Sequence, residues 1–150
     1  MSNIEVKINA ASLETLISFY NENDAIFIPP LSSQVNSIEE YARKLKNNAV
    51  IFEAWDNKEL IGLVAGYFNN YENKTGFITS VVVSIKYQNK GIAKTIMKKA
   101  FDYARDKGFE LIQLEVHKEN INAVALYEKF GFAEKVNDLI LMELYLNNIE

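Results

Sequence analysis

Seven consecutive residues, Gln88, Asn89, Lys90, Gly91, Ile92, Ala93 and Lys94, carry the clearest chemical pattern in the chain. Gly91 follows a run of β-branched residues and opens what reads as a long helix. The first N–H groups of such a helix have no partners within it, and the positive end of its dipole points outward. A glycine there lets the backbone approach an anion without a Cβ, Ala93 is nearly as small, and Lys90 and Lys94 bring positive charge. That combination suits a pyrophosphate. The plainer reading is a turn glycine flanked by two solvated lysines. Two nucleotide loops can be tested against the same residues. A Walker A loop would need glycines where Gln88 and Ala93 stand, and a dinucleotide fingerprint needs three glycines where only one is present. Both fail.

Further along, Asn120, Ala123 or Val124, and Tyr127 are spaced three, four and seven apart, which puts them on one helical face. Read without its neighbours, Tyr127 is an ordinary core tyrosine. His117 is the only histidine, and just past a strand end it reads as a surface residue before it reads as a base. Glu53 with Trp55, Tyr67, Phe68 and Tyr71 could line a pocket, although packing against a sheet accounts for most of them.

The elements that must position these residues follow from periodicity. Residues 4–8 alternate and predict a strand, and 12–20 have helical spacing behind Ser12 as N-cap. Pro29 and Pro30 break regular structure in 21–36. Ser37 and Glu40 form a capping box that opens a helix through Lys46. Residues 49–55 and 59–68 flank Asp56-Asn57-Lys58 and predict a hairpin, and 75–85 is a strand rich in β-branched residues. A helix then runs from Gly91 to Gly108, followed by a strand at 110–116, a helix at 120–130 closed by Gly131, and a strand at 139–146 after the turn-prone Asn137-Asp138. Strand, helix, strand, helix in the second half requires at least one parallel pair with a right-handed crossover. The fold class is α/β with a mixed sheet.

Composition bounds the rest. A chain of 150 residues with 49% hydrophobic content suits one domain, residues 1–150. Cysteine is absent, which removes disulfides, thiolate catalysis and cysteine metal sites. A net charge of −4 argues against nucleic acid as partner. No run of 18 apolar residues and no signal-peptide pattern is present, so a cytoplasmic location with no membrane partner is expected.

Two stretches together carry a family resemblance. "QNKGIA" (88–93) matches the Gln/Arg-x-x-Gly-x-Gly/Ala loop of the GNAT acyltransferases at every fixed position. "LEVHKENINAVALYEKFGF" (114–132) resembles that family's second signature, a strand followed by Asn-x-x-Ala-x-x-Leu-Tyr-x-x-x-Gly-Phe. The resemblance spans about residues 4 to 146 in element order. It implies a mixed central sheet with two splayed strands, here 76–83 and 110–116, and helices on both faces.

It also implies acetyl-CoA as cosubstrate, with no metal. The loop Gln88 to Lys94 would hold the pyrophosphate, main-chain groups of Val81, Val82 and Val83 would take the pantetheine arm, and Asn120 would contact the cofactor. Tyr127 would protonate the departing thiolate. Glu115 matches a glutamate proposed as base in one branch of the family, and is otherwise structural or solvent-facing. The expected partner is a small-molecule or peptide amine, with a homodimer possible. A sensor of acyl-CoA without transfer, or an O-acyltransferase, would keep the same motifs. Residues 21–36 resemble the family's variable acceptor segment. Ile26, Phe27, Ile28 and Leu31 would anchor it, Glu22 and Asp24 would suit a cationic amine, and Ser32, Ser33, Gln34 and Asn36 a polar one.

Overall fold

The computed structural model describes residues 3–134 and 139–146. Strand β1 (Ile4–Ile8) leads to helix α1 (Leu13–Glu22), where the Ser12 hydroxyl accepts from the Thr15 N–H. Helices α2 (Leu31–Gln34) and α3 (Ile38–Asn48) precede the hairpin β2 (Val50–Asp56) and β3 (Glu59–Asn70). Its turn is closed by Asn57 at φ 57, a left-handed conformation that asparagine tolerates. Then come β4 (Thr75–Val83), α4 (Ile92–Asp106), β5 (Leu111–His117), α5 (Ile121–Phe130), β6 (Ala133–Glu134) and β7 (Leu139–Tyr145).

The strands form one mixed sheet in the order β1-β2-β3-β4-β5-β7-β6. Among the described strands only β4 and β5 run parallel, and α4 is the crossover between them, as the strand–helix–strand order requires. Each face of the sheet carries its own core. Ile96, Met97, Ala100 and Phe101 of α4 pack with Phe52, Val64 and Ile112 on one side. Leu16, Phe19 and Tyr20 of α1 pack with Leu45 of α3, Ile51 and Leu63 on the other.

Between β3 and β4 the register slips. Ala65 pairs with Ser80 but Gly66 pairs with Ile78, so Thr79 is one extra residue on β4. A bulge of this kind reverses which face later side chains meet. Ile78 belongs to the α4 face, and past the bulge Ser80 and Val82 turn to the α1 face while Val83 takes the α4 face.

Three details depart from the sequence reading. The strand expected over 75–85 ends at Val83, and Ile85–Tyr87 form a 3-10 turn; the Tyr87 hydroxyl donates to the Asp56 carboxylate at 2.5 Å and draws the chain off the sheet. Residues 21–36 are not wholly irregular, because Asp24–Ile26 make a 3-10 turn and α2 follows. The Asp24 carboxylate accepts from the Ser32 N–H (2.6 Å) and hydroxyl (2.7 Å), a cap donated from outside the helix that no local pattern announces. Strand β6 was not expected, and the Asn137-Asp138 turn lies outside the described residues.

Phe68 binds β3 to β4. A Cβ on Gly76 would stand 2.7 Å from its ring, and one on Gly66 2.8 Å. The ring cannot retreat, since Phe52, Tyr103 and Phe109 meet it edge-on at 6.2, 5.3 and 5.7 Å. Gly76→Ala is therefore expected to destabilise the protein by about 1–3 kcal/mol through overpacking, read as a lower urea midpoint at unchanged slope.

Behind the bulge, the Tyr20 hydroxyl and the Ser80 hydroxyl share a hydrogen bond at 2.8 Å, and the Tyr41 ring meets Tyr20 edge-on at 5.2 Å. Burial, then the neighbouring Tyr41, raises the Tyr20 pKa well above the ordinary tyrosine value. Burial likewise raises that of Tyr41. A folded state that holds these protons more tightly than the unfolded chain is stabilised fully below the unfolded value, near 10, and loses that stability as pH rises above it. Urea midpoints should fall between pH 9 and pH 11, and Tyr20→Phe should flatten that fall while lowering the midpoint at pH 7.

Candidate active site

Strands β4 and β5 pair only from Thr75 with Leu111 to Ile78 with Leu114. Beyond that point both continue, β4 held by β3 as far as Val83 and β5 held by β7 as far as His117. Their facing edges therefore part at the bulged Thr79, leaving backbone groups of residues 79–83 and 115–117 without sheet partners across the gap. A cavity of about 300 Å³ fills the parting. Thr79, Ser80 and Val81 line one side and Glu115, Val116 and His117 the other. The splayed pair expected from the sequence is present, and the bulge is its physical cause.

Helix α5 closes one side with Tyr127 and Asn120. The Asn120 side-chain oxygen accepts from the Ala123 N–H at 3.3 Å, and the Asn120 backbone N–H donates to the His117 carbonyl at 2.9 Å. That ties the start of α5 to the end of β5. Gly131, at φ 103, ends the helix, and the Phe132 N–H returns to the Tyr127 carbonyl at 3.1 Å. Tyr127 is 7% exposed. Among the described residues no fully buried side-chain N or O lacks a partner, and no protein group bonds the Tyr127 hydroxyl, so that hydroxyl opens on the cavity. Burial pushes its pKa well above the ordinary value. It is protonated throughout the physiological range.

Glu115 is exposed at the cavity mouth. His117, read from sequence as a surface residue, is half-buried and lines the same cavity, because alternate residues of β5 share a face. The segment 21–36 supplies the opposite wall, through Ile26, Phe27, Leu31, Gln34 and Val35, with Tyr41 from α3. Of these, Val35 and Tyr41 were not singled out from the sequence. Neither were Thr79 and Ser80, whose place depends on the bulge.

Some expected contributors sit elsewhere. The side chains of Val82 and Val83 are buried in opposite cores, so only their backbone can face a ligand. Glu53 is fully buried and accepts from the N–H groups of Ala10 and Ala11 at 3.1 Å and from Trp55 Nε1 at 3.0 Å, so it holds the approach to α1. Trp55, Tyr67, Phe68 and Tyr71 do not line the cavity. Glu22 does not line it either, and the Asp24 carboxylate is committed to Ser32.

The loop Gln88 to Lys94 lies outside the cavity lining. Gln88 Nε2 donates to the Val83 carbonyl at 3.0 Å, bracing the loop against the end of β4. Asn89 and Gly91, on either side of Lys90, have the left-handed φ values 63 and 80 and aim the chain into α4. No side chain caps α4, and a Cβ built on Gly91 meets nothing within 4 Å. The first-turn N–H groups thus face open space. Lys90 and Lys94 are exposed beside them, Ala93 is half-buried, and Ile92 is buried in the core, so it offers its backbone alone. Among the described residues no three His, Asp or Glu side chains gather to hold a metal ion, and no helix is long and apolar enough to cross a membrane.

Comparison with known proteins agrees with this architecture. Residues 16–132 match the acetyltransferase (GNAT) family. The chain is 31% identical to the thialysine N-epsilon-acetyltransferase of Caenorhabditis elegans, over 88% of this chain and 84% of that one. It is 32% identical to the spermidine N(1)-acetyltransferase of Vibrio cholerae, over 81% of this chain and 70% of that one. The solved PaiA N-acetyltransferase of Thermoplasma acidophilum, in complex with coenzyme A, superposes with a TM-score of 0.69 at 20% identity, covering 94% of this chain and 99% of that one. Parted strands, an open-ended α4 and the α5 tyrosine thus occur in a chain that belongs to the GNAT acetyltransferase family.

Proposed function

We infer that the chain acts as a single cytoplasmic domain that moves an acetyl group from acetyl-CoA directly to a primary amine of a small molecule or peptide. One observation carries this reading. The parting of β4 from β5 brings the Tyr127 hydroxyl, the Glu115 carboxylate and two unpaired strand edges around one cavity.

The residues present fit the donor. Gly91 leaves room for a phosphate against the uncapped N–H groups of α4, and Lys90 and Lys94 supply charge. The free edge of residues 79–83 can receive an extended amide-containing arm as an added strand, as sheets receive peptides. Asn120 keeps its amide N–H₂ for a ligand, since the side-chain oxygen is spent on the helix cap.

The chemistry then follows from the groups. An alkyl amine near pKa 10.4 costs about 4–5 kcal/mol to deprotonate at pH 7. Glu115, exposed at the mouth, takes that proton directly or through water. Attack on the thioester carbonyl forms the new C–N bond and an oxyanion, which backbone N–H groups of the free β4 edge stabilise. Collapse breaks the C–S bond, and the second proton, shed by the acylated nitrogen to water, offsets the one that the departing thiolate takes up. Tyr127 meets the departing sulfur as a hydroxyl donor, and burial keeps the proton on it until charge develops there. No covalent enzyme intermediate is involved.

Release of free thiol from acetyl-CoA with an amine panel tests the reading; no amine-dependent release would reject it. Gly91→Glu should weaken acetyl-CoA binding at least about 100-fold by calorimetry, by setting a carboxylate against the phosphates. The left-handed φ at residue 91 adds a stability cost of about 1–2 kcal/mol, so a modest fall in melting temperature is expected. Tyr127→Phe should lower kcat about 100-fold with the acetyl-CoA Kd little changed, and an unchanged single-turnover rate would return Tyr127 to a packing role.

A further inference from the structure

We propose that the acceptor is a monocation, a primary amine on an apolar or aromatic body, and that polycationic amines are poor acceptors. The proposal rests on the acetyl-transfer reading and specifies its substrate class. Ile26, Phe27, Leu31 and Val35 present an aliphatic and aromatic wall opposite the parted strands, and Tyr41 closes it. Among the described residues Glu115 is the single acidic one lining the cavity, no lysine or arginine lines it, and the one imidazole there is that of His117.

One ammonium is therefore matched by one carboxylate, placed beside the reacting centre on β5. A second ammonium, carried farther along an acceptor, would lie on the apolar wall without a counter-ion, where losing its water is not repaid. Glu40, beside Tyr41 in sequence, is exposed and does not line the cavity, and Asp24, two residues before Ile26, is committed to the N–H and hydroxyl of Ser32. Its role is to shape the wall by holding α2, and recognition of charge is left to Glu115. The cavity, about 300 Å³, sits at the lower end of the range of about 300–1,000 Å³ usual for ligand sites. That favours a compact body over a long chain. Discrimination of this kind works by leaving the wrong ligand's charge unpaired.

Calorimetric titration of 2-phenylethylamine and spermidine, with and without saturating desulfo-coenzyme A, which cannot transfer an acyl group, separates the two questions. The expected result is 2-phenylethylamine binding at least about tenfold more tightly than spermidine. Phe27→Ala should weaken it about tenfold, and Val35→Glu should narrow or reverse the preference by adding a carboxylate to the wall. Should Val35→Glu not fold, Phe27→Ala and the wild-type preference still decide. Spermidine binding as tightly as 2-phenylethylamine, neither amine binding, or Phe27→Ala changing nothing would overturn the proposal. If 2-phenylethylamine binds with the expected preference but acetyl-CoA yields no thiol release, the transfer reading falls and the acceptor preference stands.

Discussion

A single extra residue in β4, Thr79, sets the geometry on which the site depends. Without it, Gly66 and Ala65 would pair with consecutive partners on β4, and the alternation of faces would run unbroken from Gly76 to Val83. With it, Ile78 points to the α4 core and Ser80 to the α1 core, although both are even-numbered. The bulge bends β4 at the residue where its parallel pairing with β5 ends. The gap is stable because each strand keeps its outer neighbour. β3 satisfies one edge of β4, and β7 satisfies one edge of β5. Only the inner edges are left open, and an open strand edge is a binding surface.

Keeping those edges open requires that the sheet be closed firmly below them. Phe68 does this from β3, its ring lying over the positions where Gly66 and Gly76 lack side chains. Phe52 and Tyr103 meet the same ring from neighbouring elements, β2 and α4, and Phe109 from the turn before β5. The paired half of β4 is thus fastened to its surroundings by aromatic packing. In the parted half, the fastening passes to hydroxyls, with Tyr20 on Ser80 at 2.8 Å in a buried setting. An apolar residue at position 80 would take the Ser80 partner from that hydroxyl, and the cost of an unmade buried hydrogen bond exceeds the gain from a made one.

Much of this was legible in the sequence, and the reasons are physical. Gly91 was legible from its place where a strand gives way to a helix, and Asn120 and Tyr127 from a family signature whose spacing of seven keeps them on one helical face. The hairpin at Asn57 and the stop at Gly131 were legible too. What escaped notice depends on distant partners. Thr79 looks like any β-branched strand residue, since a bulge is defined by the register of the neighbouring strand. Asp24 resembled a free carboxylate in a loop, and its capping of Ser32 eight residues on has no periodic signature. His117 looked like surface because the sequence records where a strand ends and is silent on whether its neighbour has parted from it. Glu53 looked available for an acceptor, yet it is the buried anchor of the Ala10 and Ala11 N–H groups.

The chain divides its work between two ends of the cavity. Residues from 79 to 131 supply the strand edges and the α5 face, with the open end of α4 outside the lining, all built on long elements whose backbone hydrogen bonds fix them. Residues from 24 to 41 supply the opposite wall, built on a 3-10 turn, a four-residue helix and one side-chain cap. A helix as short as α2 has no stability of its own, so its position follows from Asp24 and from Leu31, which is buried at 2% exposure. Side chains on that wall can change without disturbing the parted strands, because the wall contributes no strand to the sheet. The lining of that wall can therefore vary while the parted strands stay fixed, and in this chain Phe27 and Val35 make it apolar.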